Sequence, residues 1–262
     1  MIAHDVTGHG PPVLLLHAAV ADRRMWDPQV PALAAAGYRV VRCDLHGFGE
    51  SPMPVGRDDD ARDVADLMDF LGCERFALVG ASGGGRVALD VAARWPGRVT
   101  ALALLCTAVA GHKRSVTLRE FGDREDALLD AGDLDAATDL NVATWLGPEA
   151  GPEARASLRI MQRHAFAVQT AGTPQTAGAA PAAPHGQTTA NTAPDKPVSV
   201  PCLLVSGAHD VPDFRQIAAR LADEMPGARH VELDWAGHLP SMERPDEITR
   251  MLIDFLRDPA AG

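Results

Sequence analysis

The sequence predicts a doubly wound, mostly parallel α/β sheet with a helical cap inserted into it. Three observations lead there. Short apolar runs alternate with segments of helical period up to residue 106. The alternation stops between about residues 112 and 197. It resumes at residue 200 and continues almost to the last residue. Parallel strands need crossover connections, so this alternation reads as one sheet with helices on both faces.

Residues 13–17 read as a short buried strand. The helix "DPQVPALAAAGY" follows, with Gly37 as its C-terminal stop. "YRVVRCD" is the next strand and empties into the turn-rich loop "LHGFGESPMP". In "RDDDARDVADLMDFLG" acids crowd the first turn, where the helix dipole favours them. Val64, Leu67, Met68 and Leu71 share one face. "RFALVG" is a third strand, and Val87, Ala88, Val91, Ala92 and Trp95 mark the inner face of the helix after it. "RVTALALLC" is a fourth strand. Past the pause, "VPCLLVSG" and "ARHVELD" are strands, each followed by a helix. Phe214, Ile217, Ala218, Leu221 and Met225 line the first of those helices.

A chain of 262 residues suits one α/β domain with an insertion. The expected division is a core of residues 1–111 and 198–262, a helical cap over 112–168, and an Ala/Pro/Thr-rich linker or lid loop over 169–197. Apolar residues make up 46%, enough for a large core, and the net charge is −11. An acidic chain without a basic stripe argues against nucleic-acid or anionic-membrane partners. No signal peptide is read in "MIAHDVTGHGPP", which has neither a basic nor an apolar region. Cys43, Cys73, Cys106 and Cys202 are scattered, without metal-ligand spacing. They read as buried thiols of a cytoplasmic protein.

The stretch "GASGGGRVA" between the third strand and its helix carries the chemistry. Gly80 and Gly85 have the spacing of a phosphate-cradling loop. That loop continues with Lys and Ser/Thr, whereas Arg86 and Val87 follow here. Gly83, Gly85 and Ala88 loosely match a dinucleotide fingerprint, but the next strand runs into "LLCTAVAG" without the acid that holds a ribose. The remaining pattern is G-x-S-x-G, met by Gly80, Ser82 and Gly84. It places a serine on a strained strand-to-helix turn, its hydroxyl above the sheet and free helix N–H groups beneath. A serine needs a base to take its proton. At the carboxyl ends of the two late strands stand Asp210, in "SGAHDVPDF", and His238, in "WAGHLPSMERP".

With serine, aspartate and histidine in that order, the sequence resembles the α/β-hydrolase family over nearly the whole chain outside the linker. The motifs are "VLLLHAA", "CDLHGFGES", "GASGG", "SGAHD" and "AGHLPSMERPDE". The resemblance implies Ser82 as nucleophile, His238 as general base and Asp210 as its orienter. It implies an oxyanion hole from the N–H of Gly83 and a second N–H, from Ala19 or, in competition, Ala18. The family usually has glycine where Ala18 stands. The acid's alternative family position, after the fourth strand, holds Cys106 and Thr107. Asp213 is expected to cap the following helix and so free Asp210. His17, Asp44, His46 and His209 are read as structural. Met25, Trp26, Trp145, Met161 and Phe166 are candidates for an apolar acyl pocket. Ser82 points away from the family's aspartate-dependent dehalogenases and epoxide hydrolases.

The implied activity is hydrolysis of a small ester, thioester or lactone through an acyl-serine, with no cofactor and no metal. The expected partner is a small-molecule acyl substrate, and the chain is read as a monomer or homodimer. The same triad also serves C–C bond cleavage, perhydrolysis, acyl transfer and lyase or cyclase steps. A ligand-binding protein on this scaffold is the alternative from another class.

Overall fold

A computed structural model describes residues 1–54, 56, 59–171, 200–225 and 227–259 of the protein. Among these residues seven strands form one sheet. They are β1 (His4–Thr7), β2 (Pro12–Leu16), β3 (Arg39–Cys43), β4 (Phe76–Ala81), β5 (Val99–Leu105), β6 (Cys202–Gly207) and β7 (Arg229–Leu233). Their spatial order is β1-β3-β2-β4-β5-β6-β7. All neighbours are parallel except β1 and β3. The central strands are near-continuous apolar runs because both faces are covered. Every residue of β4 and β6 is buried.

The helices of the sheet are α1 (Gln29–Ala35), α2 (Asp60–Phe70) and α3 (Gly83–Arg94), then α7 (Pro212–Glu224), the short α8 (Pro240–Glu243) and α9 (Pro245–Arg257). The chain steps one way from β2 to β3 and the other way from β4 onward. Right-handed crossovers therefore put helices on opposite faces, with α1 against α9 and α2 against α3. Most of the predicted apolar faces are buried: Val64, Leu67 and Met68 on α2, Val87, Ala88, Val91 and Ala92 on α3, and Phe214, Ile217, Ala218 and Leu221 on α7, whereas Leu71 and Trp95, just past the ends of α2 and α3, are half-buried. The strand order reverses between β2 and β4. A crevice opens at such a point beyond the carboxyl ends of the strands, where ligands bind.

Between β5 and β6 lies the helical cap: α4 (Val116–Asp130), α5 (Leu134–Trp145) and α6 (Pro152–Ala171). Helix α6 runs past residue 169, where the sequence reading placed the beginning of a linker. Gln169 donates from Nε2 to the carbonyl of Gly47 (3.2 Å), and Thr170 Oγ1 donates to Phe166 O (2.7 Å), so the helix persists through Ala171. Residues 172–197 of that stretch lie outside the described residues. Strand β1, absent from the sequence reading, joins the edge of the sheet beside β3.

Candidate active site

The turn between β4 and α3 is built by close backbone approach. A Cβ on Gly84 would stand 2.5 Å from the carbonyl oxygens of Leu16 and His17, and one on Gly80 would meet Gly84 O at 2.6 Å. Only glycine fits at both positions. Ser82 itself has φ 50° and ψ −115°. Among the described residues, Cys106 (φ 45°) is the only other non-glycine with positive φ. Such a conformation is strained for a residue with a side chain, and the neighbouring strand holds it. Ser82 N–H donates to Leu105 O (2.9 Å), and Ser82 O accepts from Ala108 N–H (3.0 Å). The Ser82 side chain does not cap α3, so the hydroxyl is free of a structural duty there.

The two candidates for the second oxyanion donor differ in what surrounds them. Ala18 N–H donates to Met25 Sδ at 3.3 Å. Ala19 N lies 3.5 Å from where a Cβ would stand on Gly83. The Ala18 donor is thus engaged, while Ala19 faces the first residue of α3, whose own N–H has no intrahelical acceptor.

Asp210 follows β6 and His238 follows β7. His238 Nδ1–H donates to Asp210 Oδ2 at 2.7 Å, with both side chains buried. The carboxylate can only accept, so Nδ1 carries the proton and Nε2 is left as the basic nitrogen. The other carboxylate oxygen, Oδ1, accepts from Val211 N–H at 2.6 Å. The imidazole is walled by Phe214 (ring centroids 4.1 Å apart) and Trp145 (4.7 Å). Register brings these groups to one edge. Ala81 pairs with Leu105, Leu105 with Val205, and Gly207 with Leu233. Ser82 and Cys106 therefore stand side by side just past their strands. Cys106 Sγ, an Asp210 oxygen and a His238 nitrogen all lie within 4.8 Å of one another.

Comparison with known proteins agrees with this fold. The family model described as alpha/beta hydrolase fold matches residues 11–245.

The chain belongs to the α/β-hydrolase fold family.

A fluoroacetate dehalogenase from a Burkholderia species is 43% identical over 108 residues, covering 38% of this chain and 35% of the dehalogenase. The enol-lactonase of Burkholderia xenovorans LB400 is 27% identical in sequence, with a TM-score of 0.76 over 98% of this chain and 96% of that one. A thermophilic esterase of Thermogutta terrifontis is 26% identical, with a TM-score of 0.76 over 99% and 94%.

The other residues singled out in this α/β hydrolase find definite places. Asp213 does not cap α7, as the sequence suggested. The helix starts at Pro212, and Asp213 Oδ1 instead accepts from Ser115 N–H (2.7 Å) and His112 Nε2 (3.0 Å), tying the start of the cap to the core. Asp44 is fully buried and accepts from Arg23 and from Glu50 N–H, holding the loop after β3. His46 Nδ1 bonds Pro52 O at 2.9 Å, and His209 N–H donates to Ala236 O at 2.9 Å. Of the pocket candidates, Trp145 lies against the His238 ring and Met25 engages Ala18. Trp26, Met161 and Phe166 are buried. Sequence reasoning passed over two neighbours of His238. Phe214 reads only as a core residue, and Cys106 only as a buried thiol where the family's alternative acid would stand. Burial and the Asp210 charge push the Cys106 thiol well above its ordinary range, so it stays protonated.

His17 joins two loops at the switch point. Its Nε2 accepts from Leu45 N–H (2.9 Å) and its Nδ1 bonds Ala18 O (2.8 Å), which fixes a neutral tautomer. Burial holds its pKa below the ordinary 6.5. On acidification the unfolded chain takes up this proton before the folded one does. The stability His17 protects is therefore whole above pH 6.5 and is lost below it. Urea titrations at falling pH are expected to show a slope of up to about 1.4 kcal/mol per pH unit from this group. The slope should vanish in His17→Asn, and an equal slope in that variant contradicts the assignment.

Proposed function

We propose that this α/β hydrolase cleaves a small-molecule ester, thioester or lactone through an acyl-serine intermediate. The observation that carries the reading is the buried 2.7 Å pair of His238 and Asp210 at the strand edge that also bears the Ser82 turn. Ser82 Oγ attacks the carbonyl carbon while His238 Nε2 takes its proton. Asp210 keeps the imidazole in the productive tautomer and stabilises the imidazolium. The N–H groups of Gly83 and Ala19 receive the oxyanion, each worth about 10²–10³ in kcat in comparable sites. His238 then gives its proton to the departing alkoxide or thiolate. Water, deprotonated by the same nitrogen, releases the acid and restores the serine.

Met25, Trp26, Trp145, Met161 and Phe166 supply apolar surface for the acyl group. Two similar structures are named an enol-lactonase and an esterase, which supports these substrate classes. At the position where the family's aspartate-dependent dehalogenases carry their nucleophile, this chain has Ser82. No helix among the described residues is long and apolar enough to cross a membrane. All four cysteines are free and buried, which suits a reducing compartment such as the cytoplasm. A panel of p-nitrophenyl acetate, an acyl thioester and a small lactone tests the reading. Turnover of at least one is expected, and a folded enzyme inert toward all three contradicts it.

A further inference from the structure

Glu243 has no part in the mechanism above, yet its carboxylate lies beside the base. It ends α8, one turn after His238. Oε1 accepts from Leu239 N–H (3.1 Å) and Gly237 N–H (3.2 Å). Oε2 accepts from Gly237 N–H (3.0 Å) and Gly147 N–H (3.1 Å). The residues directly before and after His238 thus donate to one carboxylate, and the third donor comes from the cap. The two segments also touch without mediation. His238 N–H donates to Trp145 O at 2.9 Å. A Cβ on Gly147 would stand 2.6 Å from Gly237 N, and one on Gly237 would stand 2.3 Å from Gly147 N.

A helix-capping role accounts for the bond to Leu239, at the start of α8, but not for those to Gly237 and Gly147. Burial pushes the Glu243 carboxyl up, against the pull of its three N–H donors. A half-buried carboxylate is costly to keep in such a place unless it is fully engaged.

We infer that Glu243 is a positioning residue whose carboxylate clamps the backbone on both sides of His238 to Gly147, so that the seating of the cap sets where the imidazole stands. The inference rests on His238 being the general base. A base displaced by about 1 Å can cost on the order of 10²-fold in rate.

The test uses the full chain with p-nitrophenyl acetate and a fluorophosphonate. Glu243→Gln keeps the shape but turns an NH₂ toward N–H donors. Its kcat and its labelling rate are expected to fall at least about tenfold while KM stays within about twofold. A purely structural role would lower the melting temperature and leave kcat per folded molecule unchanged. Gly147→Ala strikes the clamp from the cap side and is expected to give the same loss of kcat. It decides the matter if the Gln variant does not fold. A folded variant of either kind with wild-type kcat overturns the clamp. His238→Ala is the control. If it stays active, the assignment of the base fails, and if it is inactive beside a normal Glu243→Gln, only the clamp fails.

Discussion

Ser82→Ala is expected to reduce turnover of p-nitrophenyl acetate by about 10⁶-fold, with the fold intact. Loss of the nucleophile leaves the oxyanion donors and the pocket, which alone give a small residual acceleration. The variant is expected to be as stable as the parent because the side chain does not cap α3. The strain at φ 50° is carried equally by alanine, so it cancels between the two proteins. Steady-state kinetics beside a thermal melt check both halves. Turnover within about tenfold of the parent removes Ser82 from the chemistry.

Asp210→Asn is expected to lower kcat by about 10⁴-fold while leaving KM nearly unchanged. The size follows from the hydrogen bonds at this position. In the parent, Oδ1 accepts from Val211 N–H and Oδ2 accepts from His238 Nδ1–H. The asparagine carbonyl must stay with Val211, because a buried N–H left without an acceptor is costly. Its NH₂ group then faces Nδ1, which has to become an acceptor. The ring proton moves to Nε2, and the base can no longer accept from Ser82. Near-normal kcat in this variant would place the orienting acid elsewhere.

Much of the fold is legible in the sequence because the central strands are buried on both faces. The runs in β2, β4, β5 and β6 are nearly continuous in apolar residues, and the residues just past them fall at one edge by topology alone. Ser82 and Asp210 stand just past two such runs, β4 and β6, which makes them candidates on the sequence alone; His238 follows the less apolar β7, and the structure brings it to Asp210. Strand β1 was missed because "HDVT" is short, half-exposed and without an apolar run. Asp213 was misread because an acid at a helix start looks like a cap, whereas its partners, His112 and Ser115, come from a distant segment. The proposal of Ala19 over Ala18 as the second donor rests on the Met25 sulfur, seven residues away along the chain from Ala18. Glu243 belonged to a motif already noted, but its three donors include Gly147, which no local pattern connects to it. The cap is legible as a helical insertion but not as three separate helices. Helix α4 has no fully buried residue and therefore no strong apolar face to read.

The most direct measurement is the mass and position of the adduct formed with a fluorophosphonate. The serine oxygen would displace fluoride from phosphorus, so one phosphonyl group per chain is expected, on the peptide bearing Ser82. In His238→Ala the same incubation should leave the chain almost unmodified. A folded parent protein that takes no label, or takes it on another residue, would contradict the account.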